Sequence, residues 1–152
     1  MAQKDILRNI GTIARALDSI SNIEFKKYNL SKGQYLFLVR IYENPGIIAK
    51  RLADLVCVDK TTASRSINKL IKNGLVKRMD DNKNKKNKHL YVSEKGKKIY
   101  PIIKRENEYS NDVALNGLTE NEINNLSVLL SKATENVVNN WDTVKNGSVR
   151  KY

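Results

Sequence analysis

Between Asp59 and Gly74, seven side chains with hydrogen-bonding heads surround a short apolar ladder. The seven are Lys60, Thr61, Thr62, Ser64, Arg65, Asn68 and Lys69, and the ladder is Ala63, Ile67 and Leu70. The ladder falls at i, i+4 and i+7, one face of a helix. That narrow face would dock on the protein while the remaining faces carry donors outward. Arg, Lys, Asn, Ser and Thr heads pair with phosphate oxygens and with base edges in the major groove. Asp59 is a fitting N-cap and Gly74 a fitting stop. The helix start adds unpaired N–H groups and the positive end of the helix dipole, which favour an anion. An ordinary amphipathic helix also has a polar face, so the pattern alone fits both a DNA-reading helix and a solvated one.

Other chemistry is thinly represented. Nucleophilic catalysis needs a nucleophile, a base and an orienting group. The chain has one histidine, His89, one cysteine, Cys57, and no carboxylate pair that stands out. No ligand cluster has metal spacing, and the seven glycines form no phosphate loop. An enzyme, a metal and a cofactor are therefore not expected. Cys57 rules out an internal disulfide by being single. It stands just before the donor-rich helix, where a thiol with a lowered pKa could react with oxidants. A free cysteine also packs as a small apolar residue, and that reading stays open beside the redox one.

The charge is concentrated. Residues 60–105 hold fifteen Lys and Arg against three acids, a surplus of twelve, which equals the net charge of the whole 152-residue chain. A cationic third beside a neutral remainder favours a polyanion, nucleic acid or an anionic membrane, over a merely solvated surface. No apolar run approaches the roughly 18 residues of a membrane span; the nearest, Tyr35 to Tyr42, is broken by Arg40. The start, MAQKDILRNIG, lacks a signal-peptide core. A cytoplasmic protein without a membrane partner is expected.

The elements that would position the donors can be read in order. Ile6, Ile10, Ile13, Leu17 and Ile20 make a heptad-like stripe on a first helix, about 5–27. Ser31 and Gln34 have capping-box spacing, with Leu30 and Tyr35 as the staple, ahead of a second helix that stops at Asn44-Pro45-Gly46. A short third helix from Ile47 leads into the donor-rich one. Leu75 to Met79 and His89 to Val92 read as a hairpin around the charged tip DDNKNKKNK. Ser93 caps a further helix to about Leu115, which Pro101 should kink or break. Thr119 and Glu122 make a second capping box, with Leu118 and Ile123 as its staple. Leu126, Leu129, Leu130, Ala133, Val137 and Trp141 line the last helix.

The expected fold is mainly α with a small β-hairpin wing. A winged helix-turn-helix, about 31–92, holds the helix-turn-helix at about 47–73 and the wing at about 75–92. Helices at about 5–27 and 94–141 flank it, and 1–152 is one domain. In this setting the donor-rich helix is a recognition helix for double-stranded DNA. At the tip, Lys83, Lys85, Lys86 and Lys88 would contact phosphate, or would be a solvated charge run.

The ordered set of motifs resembles the multiple-antibiotic-resistance regulator (MarR) family of bacterial winged-helix repressors. It comprises Leu30-Ser31-xx-Gln34, Pro45-Gly46, Leu52-Ala53, Val58 to Arg65, Leu70-xxx-Gly74-Leu75-Val76-xx-Arg78 and Val92-Ser93-Glu94-Lys95-Gly96. The resemblance runs from about Asp5 to Val138. It implies a homodimer, with the first, fifth and sixth helices pairing across a two-fold. It implies repression of nearby genes, often relieved by small aromatic acids, phenols or oxidants. The family's effector pocket lies where the first, second and fifth helices meet the winged body. By position Tyr35, Arg40, Tyr42 and Tyr109 are candidate walls, although aromatic residues there also serve as core. The family's wing carries Asp-x-Arg, and here Asn84-Lys85-Lys86 stands in its place. Loss of the planar guanidinium predicts weaker minor-groove preference, and looser phosphate contacts predict a steep salt dependence. Loss of the Asp predicts a wing without its charged partner.

Dimerisation also follows from the stripes themselves. Ile6, Ile10, Ile13, Leu17 and Ile20 lie at one chain end, and Leu126, Leu129, Leu130 and Val137 at the other. A winged-helix core cannot cover both, so they pack on each other or on a second chain, and the second arrangement is favoured. A non-specific architectural protein using the same charge on DNA, or the wing on RNA or a protein, is the alternative function.

Overall fold

The computed structural model describes residues 4–152; residues 1–3 of the N-terminal stretch lie outside the described residues. The order is α1 (Ile6–Glu24), a 3-10 turn (Lys26–Tyr28), α2 (Gln34–Glu43), β1 (Ile47–Ile48), α3 (Ala49–Val56), α4 (Lys60–Lys72), β2 (Val76–Asp80), β3 (Lys88–Val92), α5 (Glu94–Leu115) and α6 (Glu120–Lys145). The three strands form one antiparallel sheet in the order β1-β3-β2. No helix among the described residues is long and apolar enough to cross a membrane.

The core is the winged body. Phe37, Leu38 and Ile41 of α2, Leu52 of α3, Ala63, Ile67 and Leu70 of α4, Val76, Leu90 and Val92 of the sheet, and Ile99 and Ile103 of α5 are all buried. The expected ladder is thus the docked face of α4. Its ends are locally coded. Asp59 accepts from the Thr62 backbone N–H at 2.7 Å and from the Thr62 hydroxyl at 2.9 Å, satisfying an orphan donor of the first turn. Those bonds hold the Asp59 carboxyl below its ordinary range. At the other end Gly74 takes φ +74°. Leu75 N–H donates to Leu70 O and Gly74 N–H to Ile71 O, both at 3.0 Å, a Schellman closure with Leu70 and Leu75 buried beside it.

The next helix is bolted to that closure. Ser93 N–H donates to Leu75 O at 2.9 Å, and its hydroxyl donates to Gly74 O at 2.6 Å while accepting from Gly96 N–H. A Cβ on Gly96 would stand 2.5 Å from both Leu75 O and Val92 Cγ1. Gly96→Ala is therefore expected to lower the unfolding free energy by about 1–3 kcal/mol through overpacking, read as a shift of the urea midpoint with unchanged slope.

Several expected caps and element boundaries give way. The capping box at Ser31 does not form: α2 begins at Gln34 behind Gly33 in the left-handed region, with no side-chain cap. The approach is set from α1 instead, because Asn22 Oδ1 accepts from Lys32 N–H at 2.5 Å, with Asn29 and Lys32 also at positive φ. Leu30 and Tyr35 are buried, but as core residues. The first helix ends at Glu24, and the third starts two residues late because Ile47 and Ile48 pair with Leu90 and His89 as a strand. Pro101 does not break α5, which runs through all 22 residues. The one N–H that proline withholds is outweighed by burial of Ile99 and Ile103 on either side of it. Finally, α6 extends to Lys145, whose ammonium reaches Asp54 of α3 at 3.0 Å and Asp142 at 3.2 Å. The capping box at Thr119 is present with both of its bonds.

Outside this body the helices are bare. No α6 side chain is buried, and α1 buries only Ser21. Ile6, Ile10, Ile13, Ile20, Leu126, Leu129, Leu130 and Val137 are exposed, and Leu17 is half-buried. The two stripes do not bury one another within the chain.

Candidate nucleic-acid interface

The turn between α3 and α4 is three residues long. Cys57 adopts φ +57°, and Val58 N–H closes on Ala53 O at 3.1 Å. Asp59 then starts α4 at once. With Ala63, Ile67 and Leu70 docked, helical spacing puts Thr61, Arg65, Asn68 and Lys72 on one line directly opposite. All four are exposed. Lys60 and Lys69 flank the line and are exposed too, and Ser64 is half-buried. Lys60, Arg65 and Lys69 have no ion pair among the described residues. Thr62 gives both its backbone and its hydroxyl hydrogen to Asp59, and so completes the cap.

The wing is ordered by its own amides. Asn84 Oδ1 accepts from Lys86 N–H at 3.1 Å, Asn84 O accepts from Asn87 N–H at 2.9 Å, and Asp81 Oδ1 accepts from Lys83 N–H at 2.8 Å. Such short side-chain-to-backbone bonds are turn chemistry that Asn and Asp supply. Lys83, Lys85 and Lys86 are exposed around this turn. Lys88 is not a free cation: register places it opposite Asp80, and the pair closes to 2.9 Å. The wing also has a charged partner after all. Asp81 Oδ2 lies 3.3 Å from His89 Nε2, while His89 Nδ1 lies 2.7 Å from Gly46 O.

Both partners of His89 can only accept, so the doubly protonated ring satisfies both. The Gly46 carbonyl, then Asp81, raise its pKa above the ordinary 6.5. The Lys83 amide, then His89, hold Asp81 below its own ordinary value. A raised histidine pKa stabilises the fold fully below the unfolded value, and that contribution is lost as pH rises through the folded one. The bridge thus acts from the depressed Asp81 value up to the raised His89 value. The melting-temperature gap between wild type and His89→Gln is expected to be largest near about pH 5.5 and to shrink toward about pH 8.5; a gap independent of pH would refute the bridge.

Between the wing and the helix-turn-helix lies a cleft of about 340 Å³. Lys50, Lys60, Arg78, Lys86 and Lys88 line it, with no carboxylate in its lining. Lys50 and Arg78 were not singled out by the sequence reading as contact residues. Lys50 is in the first turn of α3, and Arg78 lies two residues along β2 from buried Val76, on the same face but beyond the buried end. The signal for them is three-dimensional, namely convergence with Lys60 and Lys86. Arg78 Nη2 also donates to Asn68 Oδ1 at 3.0 Å. The cleft and the α4 line together offer cations for phosphates beside donors for base edges.

The expected effector residues do not converge. Tyr35 is buried against Phe25, its phenol pKa raised by burial, on a cavity of about 440 Å³ shared by Ile13, Ser110 and Leu126. Tyr42 stacks on Tyr100 at 3.6 Å beside a separate cleft with Lys77, Tyr91 and Lys97. Tyr109 lines a third hollow with Leu17, Ile20 and Arg105. Arg40 pairs with Glu43 at 3.0 Å and lines none of these. Cys57 is exposed rather than packed as an apolar residue, with its thiol 3.6 Å from Asp54 O. Among the described residues no His, Cys, Asp or Glu cluster could hold a metal.

Comparison with known proteins gives this geometry its context. The sequence pattern of the MarR family matches residues 30–88. The chain is 55% identical, over 97% of its length and 99% of the relative's, to the uncharacterised HTH-type transcriptional regulator YybA of Bacillus subtilis (strain 168). It is 59% identical to a SlyA-like transcription regulator from Listeria monocytogenes, with a TM-score of 0.96 over 99% of this chain and 100% of that one. A MarR family transcriptional regulator from Listeria monocytogenes, solved in complex with 26-mer DNA, is also 59% identical, with a TM-score of 0.95 over the same shares.

Proposed function

The chain belongs to the MarR family of winged-helix transcriptional regulators, and from that premise we propose that it is a homodimeric repressor that reads a pseudo-palindromic operator. The observation that carries this reading is the exposed line Thr61, Arg65, Asn68 and Lys72 on α4, set beside a cleft where Lys50, Lys60, Arg78 and Lys86 converge. A recognition helix docks by its apolar side and presents donors to the major groove, while the cleft's cations neutralise the flanking phosphates. The relative solved in complex with 26-mer DNA supports DNA as the partner. The bare stripes of α1 and α6 support a two-fold partner. A C2 dimer would set its two recognition helices about 34 Å apart, on successive major grooves. Occupancy of the operator blocks transcription. A small aromatic or phenolic effector relieves it from the cavity among α1, α2, α5 and α6 that Tyr35 lines.

Selection from random duplexes at about 150 mM salt, with excess competitor, tests the reading. Enrichment of an inverted repeat with half-sites about one helical turn apart is expected. Unenriched recovery would favour an architectural protein instead. On the enriched site Arg65→Ala is expected to lower affinity about tenfold to a hundredfold, the worth of one good base contact. On competitor DNA the same variant should lose far less; equal loss on both would again favour the architectural alternative.

A further inference from the structure

Asn68 sits on the outward line of α4, three residues beyond Arg65 and seven beyond Thr61. Its amide is not free to choose an orientation. Arg78 Nη2 stands 3.0 Å from it, and a guanidinium has donors only. The atom facing Arg78 must therefore be Oδ1, which leaves the two N–H donors of Nδ2 for the opposite side. Arg78 is held in turn by strand register: it pairs with Leu90 across the hairpin, and Leu90 is buried. The wing root thus sets the orientation of a side chain on the recognition helix.

That orientation has a consequence for base reading. An unconstrained asparagine recognises adenine by two bonds, accepting from N6 and donating to N7. Here the acceptor is engaged by a charged donor, a bond roughly twice as strong as a neutral one. One Oδ1 lone pair is thereby taken, and the groups left wholly unengaged are the two N–H donors of Nδ2. In the major groove guanine offers N7 and O6, both acceptors, and thymine offers O4. We propose that Arg78 is a positioning residue that holds Asn68 as a donor, so that this position of each half-site selects guanine or thymine and rejects adenine.

The proposal rests on α4 entering the major groove, and its test separates the two. Full-length wild type, Asn68→Ala and Arg78→Ala are each put through selection from random duplexes, and base preference is read position by position. Wild type should show one position per half-site preferring guanine or thymine over adenine by about tenfold. Asn68→Ala should flatten that position alone. Arg78→Ala should weaken binding throughout, since a cleft cation is lost, and should also move that one position toward adenine. A change in base identity is not something lost charge or lost stability produces, and equal melting temperatures check the latter. Adenine preferred by wild type at the Asn68-dependent position overturns the proposal. So does the absence of any Asn68-dependent position, or an Arg78→Ala pool with unchanged preferences. A wild-type pool without an inverted repeat overturns the dimeric operator reading, and this inference with it.

Discussion

Raising the salt concentration from about 50 to about 200 mM is expected to weaken operator binding by about 10³- to 10⁵-fold. Each protomer brings Lys50, Lys60, Arg78 and Lys86 to one cleft, with Lys83 and Lys85 beside it on the wing tip. If about four of these meet phosphate in each protomer, a dimer makes about eight contacts, and log K should fall against log salt with a slope near about −7. The structure also ranks the lysines, which composition cannot do. Lys88 is paired with Asp80 at 2.9 Å, so its charge is already balanced. Lys86→Gln and Lys50→Gln should each flatten the slope by about two, one contact per protomer. Lys88→Gln should leave it nearly unchanged. Fluorescence anisotropy titrations across the salt range read all four slopes. A flat wild-type dependence would remove the cleft from the interface, and an equal effect of Lys88 and Lys86 would refute the pairing.

Charges placed on the bare face of α6 are expected to split the molecule. Leu126 is 37% and Leu129 62% exposed within the protomer, so aspartate at both positions should leave the winged core folded. In a dimer the same side chains would lie in an apolar interface, where unpaired carboxylates are strongly unfavourable. Sedimentation of the double variant Leu126→Asp/Leu129→Asp should report 17.3 kDa, against twice that for the wild type at micromolar concentration. Operator affinity should drop by about 10²- to 10⁴-fold as the two half-sites cease to be bound by linked modules. Circular dichroism identical to wild type would show that the fold survives. A wild-type protein that sediments at 17.3 kDa would end the dimeric reading outright.

The features legible in the sequence share a short range. Asp59, Ser93 and Thr119 each cap a helix by reaching a backbone N–H three residues on, and all three bonds are present. Gly74 ends α4 by a φ that few other residues adopt readily. The ladder Ala63, Ile67 and Leu70 was visible through its period and proves to be the buried face. Where a contact joins distant residues, the local signal misled or was silent. Ser31 and Gln34 had the right spacing, but Asn22 takes the Lys32 amide and sets the entry to α2. Ile47 and Ile48 read as the start of a helix because their strand partner lies more than forty residues downstream. Tyr35, Arg40, Tyr42 and Tyr109 shared no pocket, since position along neighbouring helices does not say which hollow a side chain joins.

What the sequence determined alone is the inventory and its local grammar. It sets where α4 begins and ends and where α5 and α6 begin, which face of α4 docks, and that all the surplus charge falls within residues 60–105. These follow from i→i+3 and i→i+4 contacts and from composition, both of which are read along the chain. The tertiary structure decided which of those charges remain available. It joined Lys88 to Asp80, His89 to Asp81 and Gly46, Arg78 to Asn68 and Lys145 to Asp54, and it gathered Lys50 and Arg78 into the cleft. The reason is geometric: a charge acts over a few ångströms. The residues within that reach are chosen by strand register and helix packing, not by their distance along the chain.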